Sequence, residues 1–343
     1  MRRCLDLAVL GAGKTSPNPM VGAVIVHGDD IIGEGYTSPY GGAHAEVNAI
    51  RSVIDKFGEE RAMGLFAESI VYVSLEPCAH FGKTPPCADM IVDIGFKKVV
   101  IACLDPFAKV NGLGLKKLQD GGIETEVGVL AEEAKWLNRR FFTKLKESRP
   151  YVILKWAETA DGYFAPLGGQ RWISNNASKQ LVHKWRSEED AILVGKKTAE
   201  IDNPSLTVRK WAGRNPKRIL IDKDLGLPVT LAIFDDSAET IIFNAKKTDW
   251  QGKRKYIELE NFDLYLPHQI LYQLYLMDIQ SIIVEGGKKT LDLFIHAGLW
   301  DEARVFIGSE TWSEGLEAPQ IEGIQLEEIM VGSDRLKVIK RIN

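Results

Sequence analysis

Short apolar runs and longer stretches with helical spacing alternate along the chain, separated by glycine, proline or charged residues. "MVGAVIVHGDDIIGEGY" (20–36) has apolar β-branched runs on both sides of Gly28, Asp29 and Asp30, which predicts a β-hairpin. "HAEVNAIRSVIDKF" (44–57) spaces Val47, Ile50, Val53 and Ile54 as one face of a helix. "SIVYVSLEPC" (69–78) predicts a strand that runs into Pro77, "CADMIVDIGF" a helix, and "KKVVIACLD" a second buried strand. "LKKLQDGGIETEV" predicts a helix, a glycine stop and a short strand. The alternation gives an α/β/α layered domain. The opening "MRRCLDLAVLGAGK" has the outline of an export signal, but Asp6 interrupts its short apolar run and the spacing fits an amphipathic helix. No segment is long and apolar enough to span a bilayer.

The charged stretch "NRRFFTKLKESRP" closes this pattern, and Pro150 precedes a new one, "YVILKWAETADGYF". The predicted division is 1–147 and 148–343, in keeping with a length of 343 residues. In the second part "DAILVG", "RILID", "ETIIFN" and "SIIVEGG" predict short buried strands with helices between several of them. No internal repeat or low-complexity tract is visible.

Composition narrows the classes. Hydrophobic residues make up 45%, charged residues 26%, and the net charge is −4, values of a soluble globular protein without a broad nucleic-acid or membrane surface. Four cysteines (Cys4, Cys78, Cys87 and Cys103) are too few for a disulfide framework and fit a reducing cytoplasm.

The candidate chemistry begins with "GGAHAEVNAI". In mid-helix His44 and Glu46 would point about 200° apart, but a first turn aims its side chains and amides at whatever lies ahead. A lone H-x-E is commonplace. "LEPCAHFGKTPPCADMI" changes its weight, because Cys78 and Cys87 each sit at a strand or helix end. With His44 they make the three-ligand N/S/S set of a catalytic zinc, the fourth position being left for water. Glu46 is then the proton carrier. A structural zinc would need a fourth protein ligand, for which His80 is the candidate, and Glu46 would have no role.

The H-x-E…P-C…C order resembles the zinc-dependent nucleobase deaminases, except that eight residues separate the cysteines. "TSPNPMVGAVIV", "HAEVNAI" and "EPCAHFGKTPPC" together resemble one branch, the bifunctional deaminase–reductases of riboflavin biosynthesis. The resemblance implies that Asn18, His80 and Lys83 line the pyrimidine or phosphate site. "DPFAKVNGLG" departs from the family, with Phe107 and Ala108 where an Asn-Pro is usual.

The second part has no G-x-G-x-x-G after its first strand, so a Rossmann site is not expected. "SIIVEGGKKTLDLF" offers a strand, an acid, two glycines and a helix whose first turn holds Lys288 and Lys289. We expect Gly286 and Gly287 to hold a pyrophosphate through their amides. "LKWAETADGYF", "RWIS", "DAILVGKKTAEIDNPSLTVR" and "VEGGKKTL" resemble, in order and spacing, the family's reductase domain, which is dihydrofolate-reductase-like. The resemblance implies NADPH, and hydride delivery to the anomeric carbon of a ring-opened ribosylamine. Ala157, Trp172, Thr198, Asp202, Gly286, Gly287, Lys288, Lys289, Thr290 and Leu291 match cofactor positions. Gln170, Arg186, Leu206, Arg209 and Glu285 match substrate positions, and the two arginines suit a sugar phosphate. Lys155 and Asp161 are candidates to orient the sugar or relay a proton, surface ion pairing being the alternative. Gln170 replaces a small hydroxyl residue of the family, and Asn203 an aspartate.

The expected protein is a cytoplasmic zinc- and NADPH-dependent enzyme acting on a phosphoribosylaminopyrimidine, without nucleic-acid or membrane partners; self-association is left open. The rival expectations are a deaminase of another base with an unrelated or decayed second domain, and a zinc-stabilised binding protein.

Overall fold

Residues 1–147 build one sheet, and residues 148–343 build a ten-stranded sheet and a two-stranded one. The computed structural model describes all residues except 82–84, 107–110, 169–170 and 343. It divides into two units, Met1–Glu147 and Ser148–Asn343.

The first unit opens with helix α1 (Arg2–Val9) and the hairpin β1 (Gly22–His27) and β2 (Asp30–Tyr36). There follow α2 (Ala45–Phe57), α3 (Glu59–Phe66), β3 (Ile70–Val73), α4 (Cys87–Ile94), β4 (Lys98–Ile101), α5 (Leu113–Asp120), β5 (Glu124–Val127), α6 (Ala131–Leu137) and α7 (Arg139–Glu147). The strand order is β2-β1-β3-β4-β5, antiparallel on the hairpin side and parallel from β3 to β5. The period of two in β1 divides the core. Ala23 and Ile25 join Ala49, Ile50 and Val53 of α2, whereas Val24 packs with Cys4 and Leu7 of α1. The two helices therefore cover opposite faces. α2 lies close because β2 carries glycine: a Cβ on Gly35 would come within 2.4 Å of the Ala45 carbonyl oxygen and the Ala49 nitrogen. That contact fixes the N-terminus of α2, which holds His44 and Glu46.

The predicted strand 69–78 is shorter than expected. Its ladder ends at Val73, and beyond it the buried Glu76 turns to loop amides. The helix α3, after Gly58 at φ +79°, is an addition that the apolar spacing does not announce.

The second unit runs β6 (Tyr151–Glu158), β7 (Tyr163–Ala165), α8 (Asn176–Glu188), β8 (Ala191–Gly195), α9 (Lys196–Asp202), β9 (Lys217–Ile221), β10 (Thr240–Asn244), β11 (Asp249–Gln251) and β12 (Arg254–Glu258). It continues with α10 (Leu266–Leu276), β13 (Ser281–Val284), α11 (Lys288–His296), β14 (Glu302–Ile307), β15 (Leu316–Glu317), β16 (Gly323–Val331) and β17 (Asp334–Arg341). The main sheet has the order β11-β12-β10-β9-β8-β13-β6-β14-β17-β16. The strands from β12 to β14 are parallel, and the outer pairs are antiparallel. Strands covered on both faces read as continuous apolar runs. In β6, Val152, Leu154 and Trp156 enter one core, and Tyr151 and Ile153 the other. Some charges break that rule. Arg218 of β9 is fully buried, and it donates to Asp235 and to the carbonyls of Ala232 and Ala238.

Candidate active sites

Three side chains converge in the first unit from three separate places in the chain. His44 caps the N-terminus of α2 in an extended conformation, Cys87 is the first residue of α4 after Pro86, and Cys78 lies beyond β3. His44 Nδ1 is 3.6 Å from Cys78 Sγ and 3.3 Å from Cys87 Sγ, and all the ligating atoms lie within 4.8 Å of one another. A tetrahedral zinc about 2.0 Å from nitrogen and about 2.3 Å from sulfur needs an N···S edge of about 3.5 Å. The donor set fits zinc on geometry as well as on chemistry. The Cys87 amide donates to Cys78 Sγ at 3.2 Å. That thiol is pushed well below its ordinary range, first by the Cys87 thiol and also by His44 and the Cys87 amide. Among the described residues the cluster holds His44, Cys78 and Cys87 alone; His80 is exposed and is not part of it.

Glu46, in the first turn of α2, is only 5% exposed. Burial, then the charge of Cys78, lifts its carboxyl to about 7. It stands beside the ligands without being one, as a proton carrier requires.

Two supports escape a reading of the sequence. Glu76 is buried and its carboxylate accepts four backbone amides, those of Asp105, Gly112, Gly114 and Leu115, which ties the chain before Cys78 to the start of α5. Its only signal is an acid at the end of an apolar run. Asn138, 2% exposed, clamps Met20: its Oδ1 accepts the Met20 amide and its Nδ2 donates to the Met20 carbonyl, both at 2.8 Å. This holds the segment that carries the half-buried Asn18. Lys83, Phe107 and Ala108 lie outside the described residues.

In the second unit, Lys155 of β6, Arg186 of α8 and Glu285 after β13 form a buried charged group. Arg186 Nη2 donates to Glu285 at 2.8 Å, and both side chains are 11% exposed. Burial lowers the Lys155 amine below its usual range; Glu285 opposes this and Arg186 adds to it. Burial works to raise the Glu285 carboxyl, but Arg186 and Lys155 hold it below its usual value. The exposed Asp161 carboxylate accepts the Thr159 hydroxyl at 2.5 Å and the amides of Trp312 and Ser313, which brace a turn; none of these contacts joins it to the charged group.

The glycine turn also differs from expectation. The Gly286 amide donates to the Leu193 carbonyl at 3.2 Å, and the Gly287 amide to Thr198 Oγ1 at 2.7 Å. Neither is left for a pyrophosphate. The first-turn amides of Lys288 and Lys289 have no acceptor among the described residues, as an α-helix N-terminus dictates. Gly286 serves packing: a Cβ there would lie 2.5 Å from the Gly195 nitrogen. Thr198 is thus placed at the turn, and Thr290 is buried just inside it, where a Cβ on Gly195 would come within 2.4 Å of its Oγ1.

The remaining candidates scatter. Ala157 is half-buried in β6, opposite Phe306 of β14. Trp172 is 72% exposed, with Lys179 Nζ 4.4 Å from its ring centre. Asp202 ends α9 at the surface. Leu206 and Leu291 send their side chains into the core, which leaves only their backbones for ligands. Asn203, at φ +40°, accepts the Ala232 amide at 2.7 Å, a role its aspartate counterpart would also fill. Arg209 is exposed, with Nη1 3.1 Å from Thr207 Oγ1. Gln170 lies outside the described residues.

Comparison with known proteins finds a family for each unit. The family described as the cytidine and deoxycytidylate deaminase zinc-binding region matches residues 1–103, and the RibD C-terminal domain matches residues 150–314. The riboflavin biosynthesis protein RibD of Aquifex aeolicus (strain VF5) is 40% identical over 336 residues, covering 96% of this chain and 91% of the relative. Its counterpart in Escherichia coli (strain K12) is 35% identical, covering 90% of this chain and 86% of the relative. Among solved structures, the diaminohydroxyphosphoribosylaminopyrimidine deaminase/5-amino-6-(5-phosphoribosylamino)uracil reductase of Thermotoga maritima superposes with a TM-score of 0.90 at 35% identity, covering 100% of this chain and 97% of that one. With a deaminase-type ligand cluster in one unit, a reductase match in the other and relatives alike over nearly their whole length, the chain belongs to the RibD family and is a bifunctional enzyme of riboflavin biosynthesis that uses zinc for deamination and NADPH for reduction.

Proposed function

We propose that the first unit deaminates 2,5-diamino-6-(5-phosphoribosylamino)pyrimidin-4-one and that the second reduces the ribosyl group of the product to ribityl. The observation that carries the first step is the His44–Cys78–Cys87 cluster with Glu46 buried beside it. Zinc on these ligands supplies a Lewis acid that brings the pKa of a water to about 7. Glu46 takes the proton from the attacking water, returns it to a ring nitrogen, and carries the next to the leaving amine. Its carboxyl, lifted to about 7, is suited to both halves of that exchange. Glu76 and Asn138 keep the walls of this site in place.

In the second unit NADPH supplies the hydride. The first-turn amides of α11 favour its pyrophosphate, with Lys288 and Lys289 adding positive charge. Lys155, Arg186 and Glu285 face the sugar; Glu285 accepts from its hydroxyls, and the buried Lys155 amine donates to the sugar oxygen. Arg209, exposed and held by Thr207, meets the phosphate. The two activities are not a deaminase with a decayed partner, since the reductase family match spans residues 150–314.

We place the enzyme in the cytoplasm, a reading supported by its four free cysteines. Among the described residues no helix is long and apolar enough to cross a membrane.

Incubation with the diaminopyrimidine, followed by mass spectrometry, tests the scheme. Without NADPH the deaminated ribosyl compound should accumulate, and with NADPH the ribityl product should replace it. Absence of deamination in the zinc-loaded protein would refute the first assignment. Arg209→Ala should raise the reductase KM by about 10- to 150-fold with little change in kcat, because a charge-assisted contact remote from the reacting carbon contributes about 1.5–3 kcal/mol of binding. An unchanged KM would remove Arg209 from the phosphate site.

A further inference from the structure

α8 presents His183 and Arg186, three residues apart, on one face, and the segment 204–215 runs beside it. Lys210 Nζ lies 3.4 Å from Asn176 Oδ1, and the Lys184 ammonium lies 5.8 Å from the centre of the Trp211 ring. Between these contacts the Arg209 amide donates to His183 Nδ1 at 3.1 Å. One residue earlier, the Val208 amide donates to Asn215 Oδ1 at 2.8 Å. Leu206 sits at φ +55° with a buried side chain, a conformation that a leucine holds only where its surroundings impose it. The backbone that presents Arg209 is therefore fixed by His183 from outside the segment, and by Asn215 and one strained residue within it.

We propose that His183 is a positioning residue of the reductase, which accepts the Arg209 amide through Nδ1 and thereby sets where the Arg209 guanidinium meets the phosphate of the substrate. The proposal rests on the reading of Arg209 as the phosphate partner. His183 is 6% exposed and acts through Arg209. The bond requires a neutral ring with its hydrogen on Nε2. Burial, with Arg186, Arg209 and Lys210 nearby, keeps the ring neutral against the opposing pull of Glu285. Nothing in the sequence marks this role, because the partner is a backbone amide.

Three variants of the full chain, Arg209→Ala, His183→Gln and His183→Asn, test it with the phosphorylated reductase substrate, with its dephosphorylated form, and by NADPH titration. Asparagine places Oδ1 near the position of Nδ1 and keeps the acceptor. Glutamine reaches toward the Nε2 position and leaves the Arg209 amide without one. His183→Gln should raise KM for the phosphorylated substrate about 10-fold, with kcat, NADPH affinity and KM for the dephosphorylated substrate unchanged. His183→Asn should restore wild-type behaviour. The positioning role is overturned if His183→Gln matches wild type, if His183→Asn is as poor as His183→Gln, or if both substrates suffer alike. Arg209→Ala separates the two failures. If it leaves the KM of the phosphorylated substrate unchanged, the phosphate reading falls and the His183 proposal with it. If it raises that KM while His183→Gln does not, only the positioning role falls.

Discussion

The role proposed for Glu46 rests on where it is buried. Sealed beside two cysteines, its carboxyl is lifted to about 7, first by burial and then by the charge of Cys78. Glu46→Gln keeps the shape and removes the proton, so deamination should fall by about 100-fold or more, while zinc content and reduction of the deaminated intermediate stay as they are. Metal analysis beside the two assays checks this; loss of zinc in the variant would mean that Glu46 helps to hold the metal. His44, Cys78 and Cys87 were legible as one group because few residue types bind zinc and the chemistry dictates their number. The directions of Asp161, Leu206 and Leu291 were not, because a letter does not say which way its side chain points: the first turns to backbone amides and the leucines to the core. Glu76, Asn138 and His183 stayed hidden for a related reason. Their partners are peptide groups, which every residue possesses.

The turn between β13 and α11 separates two uses of glycine. A Cβ on Gly286 would lie 2.5 Å from the Gly195 nitrogen and 2.6 Å from Val194 Cα, backbone that cannot yield without parting β8 from β13. A Cβ on Gly287 meets only the Thr198 hydroxyl oxygen, at 3.1 Å. Gly286→Ala should therefore destabilise the reductase unit by about 1–3 kcal/mol or more, seen as a lower denaturation midpoint. Gly287→Ala should leave the midpoint nearly unchanged and, with the pyrophosphate proposed at the N-terminus of α11, weaken NADPH binding, since it adds a methyl at that helix's N-cap. Equal cofactor affinity in Gly287→Ala and wild type would move the pyrophosphate elsewhere. At this level the hairpin β1–β2, the helices α2 and α4 and the parallel strands β8, β10 and β13 were readable from their periods. The outer strands were not. β16 is exposed along nearly its whole length and so has no buried face to give it a pattern, while β11 and β15 have three residues and two. β9 was readable too, from "RILID", although the fully buried Arg218 before its apolar run is held by hydrogen bonds that the pattern does not show.

Each unit has its own core, so stability as well as chemistry should be separable. His183 gives the second unit a pH dependence that the first does not share. In an unfolded chain an imidazole titrates near 6.5; in the folded unit burial, reinforced by Arg186, Arg209 and Lys210, pushes it down to about 4. Between those two values the unfolded chain binds more protons than the folded one, so a falling pH favours unfolding. The folded state keeps its full advantage above about 6.5, loses it progressively below, and loses no more on this account under about 4. At pH 5 the loss reaches about 2 kcal/mol at most, from roughly 1.4 kcal/mol for each unit of difference. Asparagine at position 183 has no proton to gain and retains the acceptor for the Arg209 amide. The stability of the reductase unit in His183→Asn should therefore fall less than in wild type between pH 7 and pH 5, by up to that amount, while other titrating groups cancel in the comparison. Denaturant unfolding of both proteins at the two pH values, followed by loss of NADPH binding, measures the difference. Parallel losses in the two proteins would mean that His183 protonates freely in the folded state, in which case its Nδ1 is not bound to the Arg209 amide in solution.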